Sequence, residues 1–136
     1  MQISRYRGKV SGPLLDRIDL FVEVARPRHI ILPGKGQAGE PSPAVRERVI
    51  TAHRVQIARQ GLVNGRLESS GVKRYCRLET GDVSFIEIAA TQLNLSPRGC
   101  QRVLKVARKI ADLDGADTIS QGHLAEAIGF RQPGQH

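Results

Sequence analysis

The sequence predicts a mainly α-helical fold, a small helical bundle preceded by one β-strand and a flexible linker, and three observations lead to it. Aromatic residues are only 4% of the chain and tryptophan is absent, so the core must be built from aliphatic and alanine side chains, which favours packed helices over a β-sandwich. Cys100, Val103, Leu104, Ala107, Ile110 and Ala111 recur at i, i+3, i+4 and i+7, the stripe of a helix with one buried face. Residues 18–25 alternate instead. Ile18, Leu20, Val22 and Val24 fall on one side and Asp19, Phe21, Glu23 and Ala25 on the other, the period of a half-buried strand. No other stretch has comparable alternation. A lone strand cannot satisfy its own backbone donors and acceptors, so the chain reads as a piece of a longer protein.

Taken in order, the chain begins with a basic lead-in and a Gly12-Pro13 turn, and Arg17 stands immediately before the strand. Residues 32–42 are rich in glycine, proline and small polar side chains and read as a flexible linker. With its partner strands missing, the segment 1–41 is expected to be largely flexible. Ser42 suits an N-cap and Pro43 the first helical position. The helix they open runs to about Arg59, with Val45, Val49, Ala52, His53 and Gln56 on one side and Arg46 and Arg54 facing water or a partner. Gly61 is its stop. Asn64-Gly65-Arg66 reads as a loop, residues 70–78 as a short helix, and Asp82 as the cap of a further helix through Ile86, Ala89, Ala90 and Leu93. The main helix is capped by Ser96, begins at Pro97 and runs as far as Gly115. A last helix starts near Ser120, buries Leu124, Ala127 and Ile128 and ends near Phe130, and residues 132–136 form a disordered tail.

Opposite the apolar stripe of the main helix, Arg98, Arg102, Lys105 and Lys109 recur at spacings that place them on one side. This basic ridge is either a solvated helix face or a surface for phosphates. Arg98 stands out because it occupies the first turn, where a cation opposes the helix macrodipole. The net charge of +8, from 21 basic and 13 acidic residues, permits a polyanionic partner without choosing one. Cys76 and Cys100 have no CxxC or CxxH spacing, and the four histidines are scattered, so neither a disulfide framework nor a metal site is expected. Cys100 is expected in the core. Gly34-Lys35-Gly36 does not make a phosphate loop, because the first glycine of the Walker pattern and the Ser or Thr after the lysine are both missing. No apolar run approaches the ~20 residues that span a bilayer, and no leader pattern opens the chain. A soluble, cytoplasmic protein with no membrane partner is expected.

Three stretches carry a resemblance: SGPLLDRIDL at 11–20, LSPRGCQRVLKVARKIADLDG at 95–115 and HLAEAIGFR at 123–131. In wording and in order they are similar to the carboxyl-terminal part of the magnesium-chelatase-like AAA+ ATPases of the ComM/YifB type. The resemblance implies that residues 1–31 are the end of an AAA+ core, turn plus last strand, that 32–42 link it to a helical lid at 43–131, and that the Walker A, Walker B and sensor-1 residues lie upstream. It implies ATP and Mg2+ in the full-length protein, with neither expected on this chain alone. Partners would be the AAA+ core of the same protein and neighbouring subunits of a ring, a hexamer, and DNA. Arg17 matches the arginine finger of the LLDRID signature, which crosses a subunit boundary to the γ-phosphate of a neighbour's ATP. Arg98 matches the sensor-2 arginine that reads the triphosphate, and Arg102, Lys105 and Lys109 would be DNA contacts. Where the family usually shows LSARGYHRVLRVARTIADL, this chain has Pro97 for the alanine, Cys100 for the aromatic and Lys109-Ile110 for Thr-Ile. These departures spare Arg98.

The residues alone leave Arg17 a structural alternative, pairing with Asp16, Asp19 or Glu23. At the level of function three readings stand. One is the lid of a DNA-remodelling motor for branch migration or unwinding, in transformation or recombination. The second is the lid of a true magnesium chelatase ATPase subunit. The third is a stand-alone helical DNA-binding module in which Arg98, Arg102, Lys105 and Lys109 contact phosphates and Arg17 is structural.

Overall fold

The computed structural model describes residues 17–24 and 39–131, and these build a bundle of five α-helices around one apolar core. The helices are α1 (Ser42–Gln60), α2 (Ser69–Tyr75), α3 (Thr80–Gln92), α4 (Pro97–Leu113) and α5 (Gln121–Gly129), with a 3-10 turn at Asn64–Arg66 between α1 and α2. The expected tail 132–136 and most of the linker 32–42 lie outside the described residues, as does Ala25 at the end of the expected strand. Among the described residues there is no sheet ladder, so 17–24 has no strand partner there.

Local chemistry explains where the helices start and stop. The Ser96 hydroxyl accepts the Gly99 N–H at 3.0 Å and Pro97 follows it, so the N-terminal turn of α4 carries both its cap and a residue that needs no hydrogen-bond acceptor. Ser120 caps α5 through a reciprocal box, its hydroxyl accepting from the His123 N–H while His123 Nδ1 accepts the Ser120 N–H at 3.0 Å. Two caps differ from expectation. Helix α1 includes Ser42, with Pro41 as an N-cap lacking any side-chain hydrogen bond, and α3 begins after Glu79, leaving Asp82 in its first turn, where a carboxylate favours the helix dipole. Gly61 terminates α1 at φ 76°, and its N–H closes on the Ile57 carbonyl at 2.8 Å.

Helix α4 is the axis of the bundle, packing against α1, the 3-10 turn, α2 and α5, while α3 packs on α5. Val103, Ala107, Ile110 and Ala111 of its apolar stripe are buried with Leu67, Val72, Cys76, Ile86, Ile119, Leu124 and Ala127. Cys76 rather than Cys100 is the core cysteine, since Cys100 is only half-buried. Burial pushes the Cys76 thiol up to about 11, so it is an uncharged packing side chain at neutral pH. Helix α1 departs most from its expected face. Only Ala52 and Gln56 are buried, whereas Val45 and Val49 are each 38% exposed and His53 is exposed. Its apolar residues are spread around the circumference rather than gathered in one stripe, so α1 meets the core through its C-terminal half alone.

That C-terminal half is joined to α4 by a buried polar cluster. Asp112, whose side chain is fully buried, accepts from Arg59 at 2.6 and 3.0 Å, from Asn64 Nδ2 at 2.8 Å and from Arg108 Nε at 3.0 Å. Arg108 also donates to the Ala116 and Asp117 carbonyls at 2.6 and 2.8 Å, and the Gln56 side-chain oxygen accepts the Asn64 N–H at 3.0 Å. Burial alone would raise the Asp112 pKa. The hydrogen bonds from Arg59 and Asn64 and the charge of Arg108 outweigh burial and hold its carboxyl below the usual aspartate value of 3.8. Removing one partner of a buried, hydrogen-bonded charge cluster costs about 3–5 kcal/mol, so Asp112→Ala is expected to destabilise the domain by that order in urea titrations. Because the folded pKa lies below the unfolded one, the stabilisation from Asp112 is complete above about pH 4 and drains away as pH falls through the lower folded value. Acid titration of Asp112→Asn should lack that component.

Candidate functional site

The N-terminal half of α4 forms one wall of a groove of about 620 Å³, opposed by the segment that leads from the 3-10 turn into α2. Arg98, Gln101, Arg102 and Lys105 line it from α4, and Leu67, Glu68, Ser69 and Ser70 from the other side. Gln101 and Ser69 exchange hydrogen bonds at 3.1 and 3.2 Å, tying the two walls together. Three of the four ridge cations therefore share one concavity, with Glu68 as the carboxylate among its described lining residues. Such a surface attracts anionic oxygen.

The four ridge residues are not equivalent. Arg98, in the capped first turn, is exposed. Arg102 is half-buried and ion-paired with Asp19, while Lys105 Nζ reaches the Gly65 carbonyl at 3.4 Å. Lys109 is half-buried and does not line the groove. Burial holds its ammonium below the ordinary lysine value, partly offset by the charge of Asp112. The expected continuous ridge is thus a groove lined by Arg98, Arg102 and Lys105, with Lys109 set apart from it.

Arg17 is exposed at the start of the segment 17–24. The residues after it are fastened to the helical bundle. The Ile18 carbonyl accepts from Arg131 Nη1, Asp19 pairs with Arg102, and the Phe21 N–H donates to the Phe130 carbonyl at 2.8 Å. Arg131 also lies over the first turn of α4, where Gly99 has no side chain and an added Cβ would stand 3.6 Å from Nη2. Arg17 and Arg98 are consequently brought to one end of the bundle. Asp19, one of the expected partners of Arg17, is engaged by Arg102 instead.

Sequence reasoning did not single out Arg59, Arg108, Asp112 or Arg131. The Arg108–Asp112 spacing of four on one helix was a readable signal, but nothing along the chain announced that Arg59 and Asn64 would converge on the same carboxylate.

Residues 39–131 match the family described as magnesium chelatase, subunit ChlI C-terminal. The chain belongs to this family. Residues 1–31 match the preceding family, magnesium chelatase, subunit ChlI. The chain is 45% identical over 130 residues to competence protein ComM of Haemophilus influenzae, covering 96% of this chain and 26% of the relative. It is also 45% identical to the protein YifB of Salmonella typhimurium and 42% identical to YifB of Escherichia coli, with the same coverage. The chain therefore spans about a quarter of the length of these curated relatives. It is a magnesium-chelatase-like C-terminal domain of the ComM/YifB kind, and the groove beside α4 is built within that domain. No helix among the described residues is long and apolar enough to cross a membrane. The groove depends on the cap that starts α4 in register. Ser96→Ala is expected to lower domain stability by about 1 kcal/mol, measured as a shift in the thermal unfolding midpoint.

Proposed function

We propose that this domain is the lid of an AAA+ ATPase and that it works in an oligomeric ring, a hexamer, which uses ATP hydrolysis to remodel DNA by branch migration or unwinding. The observation that carries the reading is the position of Arg98, an exposed cation in the first turn of α4 that lines a groove together with Arg102 and Lys105, in a chain whose family is described as magnesium chelatase, subunit ChlI. The groove fits phosphate: its cations are arginine and lysine, and a planar guanidinium matches phosphate oxygens with paired donors. In this reading Arg98 binds the triphosphate of ATP held by the core of the same protein. Arg17 reaches the γ-phosphate of a neighbour's ATP, where a fixed guanidinium stabilises the charge that spreads over the phosphoryl oxygens during transfer. In this reading the Mg2+ of the ring is held by the phosphates and by residues of the core. The domain divides as 1–31 for the end of the core, 32–42 for the linker, 43–131 for the lid and 132–136 for the tail.

The reading of DNA as substrate is supported by the ComM-type likeness and by the positive groove and helix face, on which Arg102, Lys105 and Lys109 are the candidate DNA contacts. In the full-length protein, Arg17→Ala is expected to reduce ATP turnover by about 10³-fold or more without altering the circular dichroism of the fold. Arg98→Ala should weaken nucleotide binding. Normal turnover in the Arg17→Ala ring would exclude the finger assignment. Titration of this chain with a short DNA duplex should shift amide resonances within residues 98–109, and the shifts should fade between low and moderate salt as phosphate contacts do. An absence of shifts would leave the lid as an ATP-coupling part and favour the chelatase-type motor.

A further inference from the structure

Among the described residues, three contacts fasten the segment carrying Arg17 to the helical bundle. Asp19, two residues after Arg17, pairs with Arg102, one helical turn after Arg98 on α4. The Ile18 carbonyl accepts from Arg131, and the Phe21 N–H donates to the Phe130 carbonyl at 2.8 Å, both of these partners lying just beyond α5, which itself packs on α4. An exposed ion pair is a weak source of stability, but its position here has a different consequence. It is made to a side chain of α4, and it answers the charge of a cation in the groove wall.

We propose that Arg102 is a positioning residue that latches the Arg17-bearing segment to α4 through Asp19, so that Arg17 and Arg98 hold a fixed relation to each other. The inference rests on the reading of Arg17 as a trans-acting arginine and goes beyond it by giving Arg102 a role other than contact with DNA. A polyanion entering the groove would have to compete with Asp19 for the guanidinium. Lys105, whose ammonium meets the Gly65 carbonyl at 3.4 Å and no carboxylate among the described residues, faces no such competition there. The other two attachments do not involve Arg102, so its removal loosens the segment without detaching it or unfolding the bundle.

The test uses the full-length protein and two independent readouts. Asp19→Ala and Arg102→Ala are each expected to lower kcat for ATP hydrolysis about tenfold or more through misplacement of Arg17, with KM for ATP little changed. The losses should not add in the double variant, and exchanging the charges, Asp19→Arg with Arg102→Asp, should restore most of the rate. Hydrogen exchange at the Phe21 amide should accelerate in Arg102→Ala. Unchanged Phe21 exchange, additive losses, or a loss of DNA affinity in Arg102→Ala with normal kcat in Asp19→Ala would each overturn the latch. If Arg17→Ala leaves turnover normal, the finger reading fails and takes the catalytic role of the latch with it. If Arg17→Ala is inactive and Phe21 does not respond to Arg102→Ala, the latch fails alone.

Discussion

The Asp112 carboxylate organises this domain. A fully buried anion is tolerable only when its oxygens are answered, and here Arg59 from α1, Asn64 from the 3-10 turn and Arg108 from the preceding turn of α4 all donate to it. Those donors come from three elements, so one side chain sets the end of α1, the course of the connection after it and the rotation of α4 about its own axis. The groove lies on the same side of α4, nearer its N-terminus, where Arg98, Arg102 and Lys105 face the segment leading into α2.

Apolar packing could not have done the same work in so small a core. The buried side chains are aliphatic or alanine, with the aromatic rings of Tyr75, Phe85 and Phe130 only partly covered, and such surfaces slide past one another at modest cost. Helix α1 shows the difference. It buries only Ala52 and Gln56 and carries exposed valines at 45, 49 and 55, yet its end is anchored through Arg59. Directional hydrogen bonds to a buried charge supply the register that a scattered apolar pattern does not.

The same economy places the cations of the groove. Each of Arg98, Arg102 and Lys105 stands on the side of α4 that the apolar stripe leaves outward, but their surroundings divide them. The first is exposed, the second meets Asp19, and the third meets a backbone carbonyl. A row of like charges becomes a set of distinct chemical positions once the segments around it are in place.

Along the chain, the elements with local causes were legible. Ser96-Pro97, Ser120 and Gly61 mark α4, α5 and the end of α1 because capping and left-handed backbone depend on a few neighbouring residues, and the apolar stripe of α4 declares its buried face. The groove cations Arg98, Arg102 and Lys105 were readable from the same periodicity, and the family was readable from three long stretches of wording. What lay beyond reach involved separations that no local pattern encodes: Arg59 with Asp112, Arg102 with Asp19, Arg131 with Ile18. The sequence by itself determined the helices, the caps of α4 and α5 and the face that α4 turns inward, because these arise from interactions within a few turns. Only the tertiary structure decided which charges are buried as partners and which remain open to solvent, because that depends on distant segments meeting and on the dielectric that burial creates around them.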